Sequence, residues 1–213
     1  MPGRKAPEVA RREQILDAAL RVAIRERLGG LRIRDVAREA GLSTGLVLFH
    51  FKTKEALIAA LLTWLLESTT VLRPEVQTTG SPAASLCELI RAEARRLSTD
   101  RHRSELFFDF WVAGTRTARL RGQMRRALTR YREEFRALAE EALATDEDRY
   151  PDATAEGLAS AAVSFVHGCA IQSVIDPSGF DLRAALTVID GLARGGLIKS
   201  PRKSRRRQKL KRP

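Results

Sequence analysis

The string Gly41-Leu42-Ser43-Thr44-Gly45 has the G-x-S-x-G spacing of a nucleophile elbow, in which a serine hydroxyl is thrust forward to attack an acyl carbon. That chemistry needs a strand leading into the serine and a histidine base oriented by a carboxylate. Here the polar run Arg34-Asp35-Val36-Ala37-Arg38-Glu39-Ala40 leads in with helical character, and His50, His102 and His167 have no strand context that would supply a triad. Two cysteines, Cys87 and Cys169, are too few for the paired Cys/His spacing of a structural zinc site or for a disulfide framework. No P-loop, His-Glu-x-x-His or Gly-rich dinucleotide motif occurs. The expectation is a protein that is not an enzyme and carries neither metal nor cofactor.

The same short segment supports a different chemistry, the electrostatic recognition of a polyanion. The 213 residues carry a formal net charge of +12, unevenly spread: residues 1–65 hold +5, residues 66–198 hold −2, and residues 199–213 hold nine basic and no acidic side chains. Basic ends around a nearly neutral middle suit nucleic acid or an anionic membrane surface, because Lys and Arg displace condensed counterions. Leu31 to Leu57, LRIRDVAREAGLSTGLVLFHFKTKEAL, has the layout of a helix-turn-helix. One short helix packs by Val36 and Ala37, a turn centres on Gly41 where a positive φ is easily adopted, and a second short helix follows. Gly45 leaves a helix N-terminus bare, so its N–H groups can meet phosphate, with Lys52 and Lys54 just beyond. Leu42, Val47 and Phe51 read as core.

The elements that must hold this segment are helices throughout. Ala, Leu, Arg and Glu dominate, and no period-2 apolar alternation is sustained. A first helix spans about residues 8–28, with Ile15, Ala19 and Val22 on one stripe and Gly29 and Gly30 as its stop. Short helices follow at about 33–40 and 44–50, and a longer one runs from a Thr53 cap to about Leu72. Ser81-Pro82 opens another, to about Leu97. Further helices are expected at about 103–114, 116–145, 153–175 and 182–194, the last two separated by Asp176-Pro177-Ser178-Gly179.

On these residues the chain resembles the TetR family of transcriptional repressors, whose N-terminal three-helix domain ends in an aromatic-rich recognition helix followed by a Lys at the next helix start. The matching strings are Arg34-Asp35-Val36-Ala37, Ala40-Gly41-Leu42-Ser43, Gly45 and His50-Phe51-Lys52-Thr53-Lys54-Glu55. The family often has Phe at Ala23, Gly at Arg27, Thr at Arg32 and Tyr at Leu48. The resemblance implies DNA contacts by Arg34, Thr44, Gly45, Leu46, Phe49, His50 and Lys54, with Arg32 replacing the family's Thr electrostatically but not as a cap. Base readout looks sparse, since the recognition helix offers only Thr44 and His50 as polar groups and the chain has no Asn to pair with adenine. Arg34 is the candidate reader of guanine.

The resemblance also implies that the following helices bind an effector and dimerise. Phe107, Phe108, Phe110 and Trp111 are four of twelve aromatic residues, and with Leu106 and Val112 they cover most of a helical wheel, so that helix is expected to be buried on several sides. Glu105 and Asp109 fall on the remaining arc in step with Arg101, as an exposed ion-pair stripe. The aromatics are either plain core or the lining of an effector pocket, for which Trp64, Phe107, Phe108, Phe110, Trp111 and Phe165 are the candidates. Gly157 to Ile175 has no charged residue over 19 positions, but His167, Gln172, three serines and two glycines make it a poor membrane span. It reads as a helix buried once by its own domain and once by a second subunit, with Gly157, Ala161, Phe165 and Gly168 along one face and Gly157, Ala161 and Gly168 as interface residues. The string HGCAIQSVIDPSGFDLRAALTVIDGL resembles the BetI-like branch, where two helices pair with their symmetry mates.

The reading is an all-α protein: a helix-turn-helix domain over residues 1–53, a helical effector-binding and dimerisation domain over 54–198, and a disordered basic tail over 199–213. The N-terminus lacks the apolar h-region of a secretory signal, so the cytoplasm is the expected compartment. Its partners would be a palindromic double-stranded DNA operator, a second copy of itself and an unidentified small-molecule effector, with no membrane. The rival reading is a non-enzymatic helical interaction protein tethered by its basic ends to RNA or anionic membrane.

Overall fold

The computed structural model describes residues 8–68, 81–145 and 152–193, and every regular element among them is an α-helix. The basic tail and the stretch expected to carry the fourth helix to Leu72 lie outside the described residues. Helix α1 (Glu8–Gly30) buries Ile15, Leu16, Ala18, Ala19, Val22 and Ala23, the three-to-four spacing that puts one stripe against a core. The sequence points to Gly29 and Gly30 as its stop, but the helical path breaks earlier, at Arg27, with φ 61° and ψ 166°. Tertiary contacts impose that break: Leu28 turns inward to burial, and the Arg27 side chain is held by α6.

Helices α2 (Ile33–Ala40) and α3 (Thr44–Phe51) are joined by a turn in which Gly41 takes φ 66°, ψ 33°, and the Leu42 N–H closes back on the Ala37 carbonyl at 2.9 Å. Helix α4 (Lys54–Ser68) starts where the Thr53 hydroxyl accepts the Ala56 N–H at 3.0 Å. The stripes of α1 to α4 meet in a first core, into which α6 and α7 insert Leu106, Phe110, Leu120 and Met124.

Helix α5 (Pro82–Thr99) is capped by Ser81, and Asp100 caps α6 (Arg101–Arg116) through the Arg103 N–H. The long α7 (Ala118–Thr145), α8 (Ala155–Ile175, capped by Thr154) and α9 (Leu182–Ala193) complete the chain. A second core joins Leu89, Ile90 and Ala94 of α5, Phe135 and Ala139 of α7, Ala162, Val163 and Val166 of α8, and Leu186 of α9. Helix α8 is long and apolar enough to cross a membrane, with mean hydropathy 1.6, yet one side of it packs on α5 and α7.

Two expectations for α6 need correction. It is not buried all round: Leu106 and Phe110 are enclosed, while Val112 is 58% exposed and Trp111 partly so. Glu105 and Asp109 are not a solvated stripe either, since their side chains are only 19% and 25% exposed. Arg101 does pair with Glu105 at 2.8 Å, but Arg27 adds bonds to both carboxylates, at 2.8 and 3.0 Å, which the wheel could not foresee because the partner comes from α1.

Candidate nucleic-acid interface and effector cavity

Helix α3 has a locked inner face and a free outer one. Its N-terminus is set by Ser43, whose Oγ accepts the Leu46 N–H at 3.2 Å; the hydroxyl that mimics an elbow nucleophile is a helix cap following a helix. Val47 and Phe51 are buried, and the Arg12 guanidinium covers the Phe51 ring at 4.5 Å while donating to the His50 carbonyl at 2.9 Å. Gln14 likewise donates to the Ala40 carbonyl at 2.8 Å, so α1 clamps the ends of both short helices. Outward, the exposed positions Thr44, Gly45, Leu48, Phe49 and Lys52 share one face, with Phe49 65% exposed.

The other DNA-contact candidates lie on or beside this face. Arg32 and Arg34 are exposed at the start of α2, and Arg32 occupies the N-cap position without a capping side-chain bond, as losing the family's Thr implies. Leu46 and His50 are half-buried, the His50 ring standing edge-on to Phe49 at 5.3 Å. Lys54 is half-buried, its Nζ 3.5 Å from the Gly29 carbonyl. Leu48, left out of the contact set, joins the outward face, and Lys52, read beside Lys54 as lying near phosphate though not carried into that set, puts its Nζ 5.2 Å from the Phe49 ring centroid. Their place on an i, i+4 stripe with Thr44 was the signal available.

The six aromatic effector candidates do not gather around one space. Trp64 packs against the first core, Phe110 is wholly buried in it, and Phe165 packs against the second. Phe107, Phe108 and Trp111 do meet, and Trp111 borders an open cavity of about 360 Å³. Gly114 and Thr115 complete its α6 wall, and Arg121, Met124, Arg125, Leu128 and Arg132 of α7 form the rest. Behind Trp111 stands His167 of α8, 5.3 Å from its ring and stacked on Tyr131 at 5.6 Å. Burial pushes the His167 imidazole down to about 4, so it is neutral near pH 7. Tyr131 donates to the Glu93 carboxylate at 2.7 Å, which Arg96 grips at 3.0 and 2.6 Å; burial and the neighbouring Glu93 charge hold the phenol well above its ordinary range.

Two polar ties connect the walls of this cavity to α1 and to α4, the helices on either side of α2 and α3. Arg27 binds Glu105 and Asp109 of α6, and the Leu28 N–H reaches Asp109 at 3.5 Å. The hydrogen bond from Arg101, together with the nearby Arg27 charge, holds the Glu105 carboxyl below its usual range. From α7, Gln123 donates to the Ala59 carbonyl and the Thr63 hydroxyl of α4 at 3.0 and 2.7 Å.

With this geometry in place, comparison with known families is decisive. Residues 82–198 match the family model described as BetI-type transcriptional repressor, C-terminal, and residues 15–61 match that of bacterial regulatory proteins, tetR family. The chain belongs to the TetR family of transcriptional regulators, with a BetI-type C-terminal domain. Solved structures agree in fold. A TetR regulator from Haloarcula marismortui superposes with a TM-score of 0.75 at 22% identity, covering 88% of this chain and 98% of its own. A regulator from Saccharomonospora viridis in complex with choline gives 0.74 at 19%, covering 90% and 100%. FadR from Bacillus subtilis in complex with stearoyl-CoA gives 0.69 at 17%, covering 87% and 99%. No curated protein matches the chain.

Proposed function

We propose that the protein is a homodimeric repressor in the cytoplasm that binds a near-palindromic operator and releases it when a small apolar or amphipathic effector binds. The observation that carries the reading is the face of α3: Thr44, Gly45, Leu48, Phe49 and Lys52 are exposed together on a helix whose opposite side is locked by Arg12, Val47 and Phe51. Thr44 and His50 would meet base edges, Phe49 and Leu46 thymine methyls, Gly45 and Lys54 phosphates, with Arg32 and Arg34 reaching in from α2.

Dimerisation through α8 and α9 is supported by a stripe of small and apolar positions that nothing among the described residues covers. Gly157, Ala161 and Ile171 are exposed and Gly168 half-exposed, a Cβ at Gly168 would meet no atom within 4 Å, and Ile175 and Val188 extend the patch. Release would be a shift of population toward a dimer whose recognition helices no longer fit successive major grooves, about 34 to 36 Å apart. The ties from Arg27 to α6 and from Gln123 to α4 provide the route, because a ligand between α6 and α7 moves both partners. Relatives of this fold solved with choline and with stearoyl-CoA support a small-molecule effector.

The test is selection of DNA fragments from a random pool by the purified protein, followed by gel shifts at physiological salt. A two-fold symmetric consensus bound far more tightly than nonspecific DNA is expected. Equal binding to any DNA, RNA or anionic vesicles would support the rival, a tethering protein.

A further inference from the structure

We infer that the cavity between α6 and α7 takes an amphipathic carboxylate, with the apolar chain against Trp111, Met124 and Leu128 and the carboxylate held by Arg125 and Arg132. This rests on reading the C-terminal helices as an effector domain and adds the chemical class of the effector.

The cavity gathers three arginines, Arg121, Arg125 and Arg132, beside Trp111, Met124 and Leu128. Between Ala118 and Arg132, α7 carries six arginines and no acid. Arg121, Arg125 and Arg132 recur at intervals of four and seven, with Leu128 between the last two, so one stripe of α7 lines the cavity. Several arginines elsewhere are matched, Arg21 by Asp17 and Glu39, Arg27 by Glu105 and Asp109, Arg96 by Glu93, and Arg136, one turn beyond Arg132, by Glu133 and Glu140. Among the described residues Arg125 and Arg132 have no carboxylate partner. Arg121 donates only to the neutral carbonyls of Gly114 and Thr115, at 3.1 and 2.6 Å, so its charge is not cancelled either. Behind Trp111, His167 is neutral, and the Glu93 carboxylate beyond Tyr131 is paired with Arg96.

An apolar floor under a cationic rim binds opposite ends of one molecule by different forces. The chain leaves water against Trp111, Met124 and Leu128. The planar guanidinium fork of Arg matches a carboxylate through two parallel hydrogen bonds, a geometry that an ammonium or alcohol head cannot use. A cationic head of equal chain length would face three positive charges.

The experiment is calorimetric titration of the full-length protein with dodecanoate, dodecanol and dodecyltrimethylammonium, each below its micelle concentration. Dodecanoate should bind at one equivalent per protomer, dodecanol about tenfold more weakly or worse, and the cation not at all. The variant carrying Arg125→Gln and Arg132→Gln, checked for an unchanged helical spectrum and thermal midpoint, should bind dodecanoate no better than dodecanol. Should that variant not fold, Arg132→Lys serves instead: it keeps the charge but loses the fork, and dodecanoate should still weaken. Equal binding of cation or alcohol, or variants that bind dodecanoate as the parent does, overturns the inference. A gel shift with the selected operator runs in parallel: a protein that holds its operator but takes up no dodecanoate refutes this inference alone. A protein that takes up dodecanoate but selects no operator refutes the regulatory reading and leaves the site standing.

Discussion

Lys54 stands between two electrostatic roles. Its Nζ lies 3.5 Å from the Gly29 carbonyl, where a cation complements the exposed C-terminal carbonyls of α1, and it sits just past the recognition helix, where a duplex backbone would run. With Lys54 assigned to phosphate and not to a base, Lys54→Ala should weaken operator and nonspecific DNA equally and reduce the salt slope by about one. Gel shifts across a salt series measure this, and loss of operator binding alone would contradict the assignment. Arg34 is exposed at the start of α2 and is the candidate reader of guanine. Arg34→Ala should cost about 1 to 3 kcal/mol of operator affinity and relax one base preference per half-site. Reselection of DNA with the variant checks it; an unchanged consensus would remove Arg34 from base readout.

At the scale of the elements, the junction of α1 and α6 turns on Arg27. Its φ of 61° with ψ 166° is a backbone conformation almost confined to glycine, costing an L side chain roughly 1 to 3 kcal/mol and glycine almost nothing, and glycine is the residue the family often has there. Arg27 accepts that strain and gains contacts with Glu105 and Asp109 that glycine could not make. Half-exposed pairs of this kind are worth about 0 to 1 kcal/mol each, so Arg27→Gly should leave stability nearly level, while Arg27→Ala, strained and unpaired, should fall below the glycine variant by about 1 kcal/mol. Urea denaturation of the three proteins tests the order, and equal stability of the two variants would mean that the left-handed backbone is not held. Between α6, α7 and α8, His167 is the titrating group. Its folded value of about 4 lies below the ordinary 6.5, so the unfolded chain binds the proton more readily. Its contribution is present above pH 6.5, declines as pH falls, by roughly 2 kcal/mol at about pH 5, and levels off below the folded value. His167→Phe should therefore lose less stability than the parent between neutral pH and about pH 5 in denaturant melts; parallel losses would show that His167 is not the cause.

At the scale of the whole molecule, the described residues leave two faces uncovered, the outer face of α3 and a stripe of α8 and α9, which the proposed function assigns to DNA and to a second copy. A substitution at Gly168 separates folding from assembly at the latter. A Cβ at Gly168 meets nothing within 4 Å among the described residues, so Gly168→Leu should fold, but it would hold two symmetry-related helices apart. Sedimentation should find a folded monomer where the parent sediments as a dimer. An intact dimer of unchanged stability would place the interface elsewhere. Because an operator with two half-sites is bound by two recognition helices at a fixed separation, the same variant should lose operator affinity while retaining nonspecific contacts.

Caps and turns were legible in the sequence because their causes lie within four residues. Thr53 and Ser81, read as caps, each accept an N–H three positions on, and Gly41 closes α2 in the left-handed conformation expected of it; Ser43 and Thr154, not read as caps, do the same by the same local chemistry. The buried stripe of the helix-turn-helix was legible too, since Val36, Ala37, Val47 and Phe51 recur at helical spacing. Periodicity, however, states which side of a helix is apolar and not which neighbour will face it. Only the tertiary structure decided that Phe110 belongs to the first core and Phe165 to the second, and that Trp111 stands half-open beside a cavity whose other wall is the arginine stripe of α7. The early break at Arg27 is the sharpest case. A backbone strained by roughly 1 to 3 kcal/mol is locally unfavourable and persists only because Leu28, Glu105 and Asp109, the last two about 80 residues away along the chain, hold it in place.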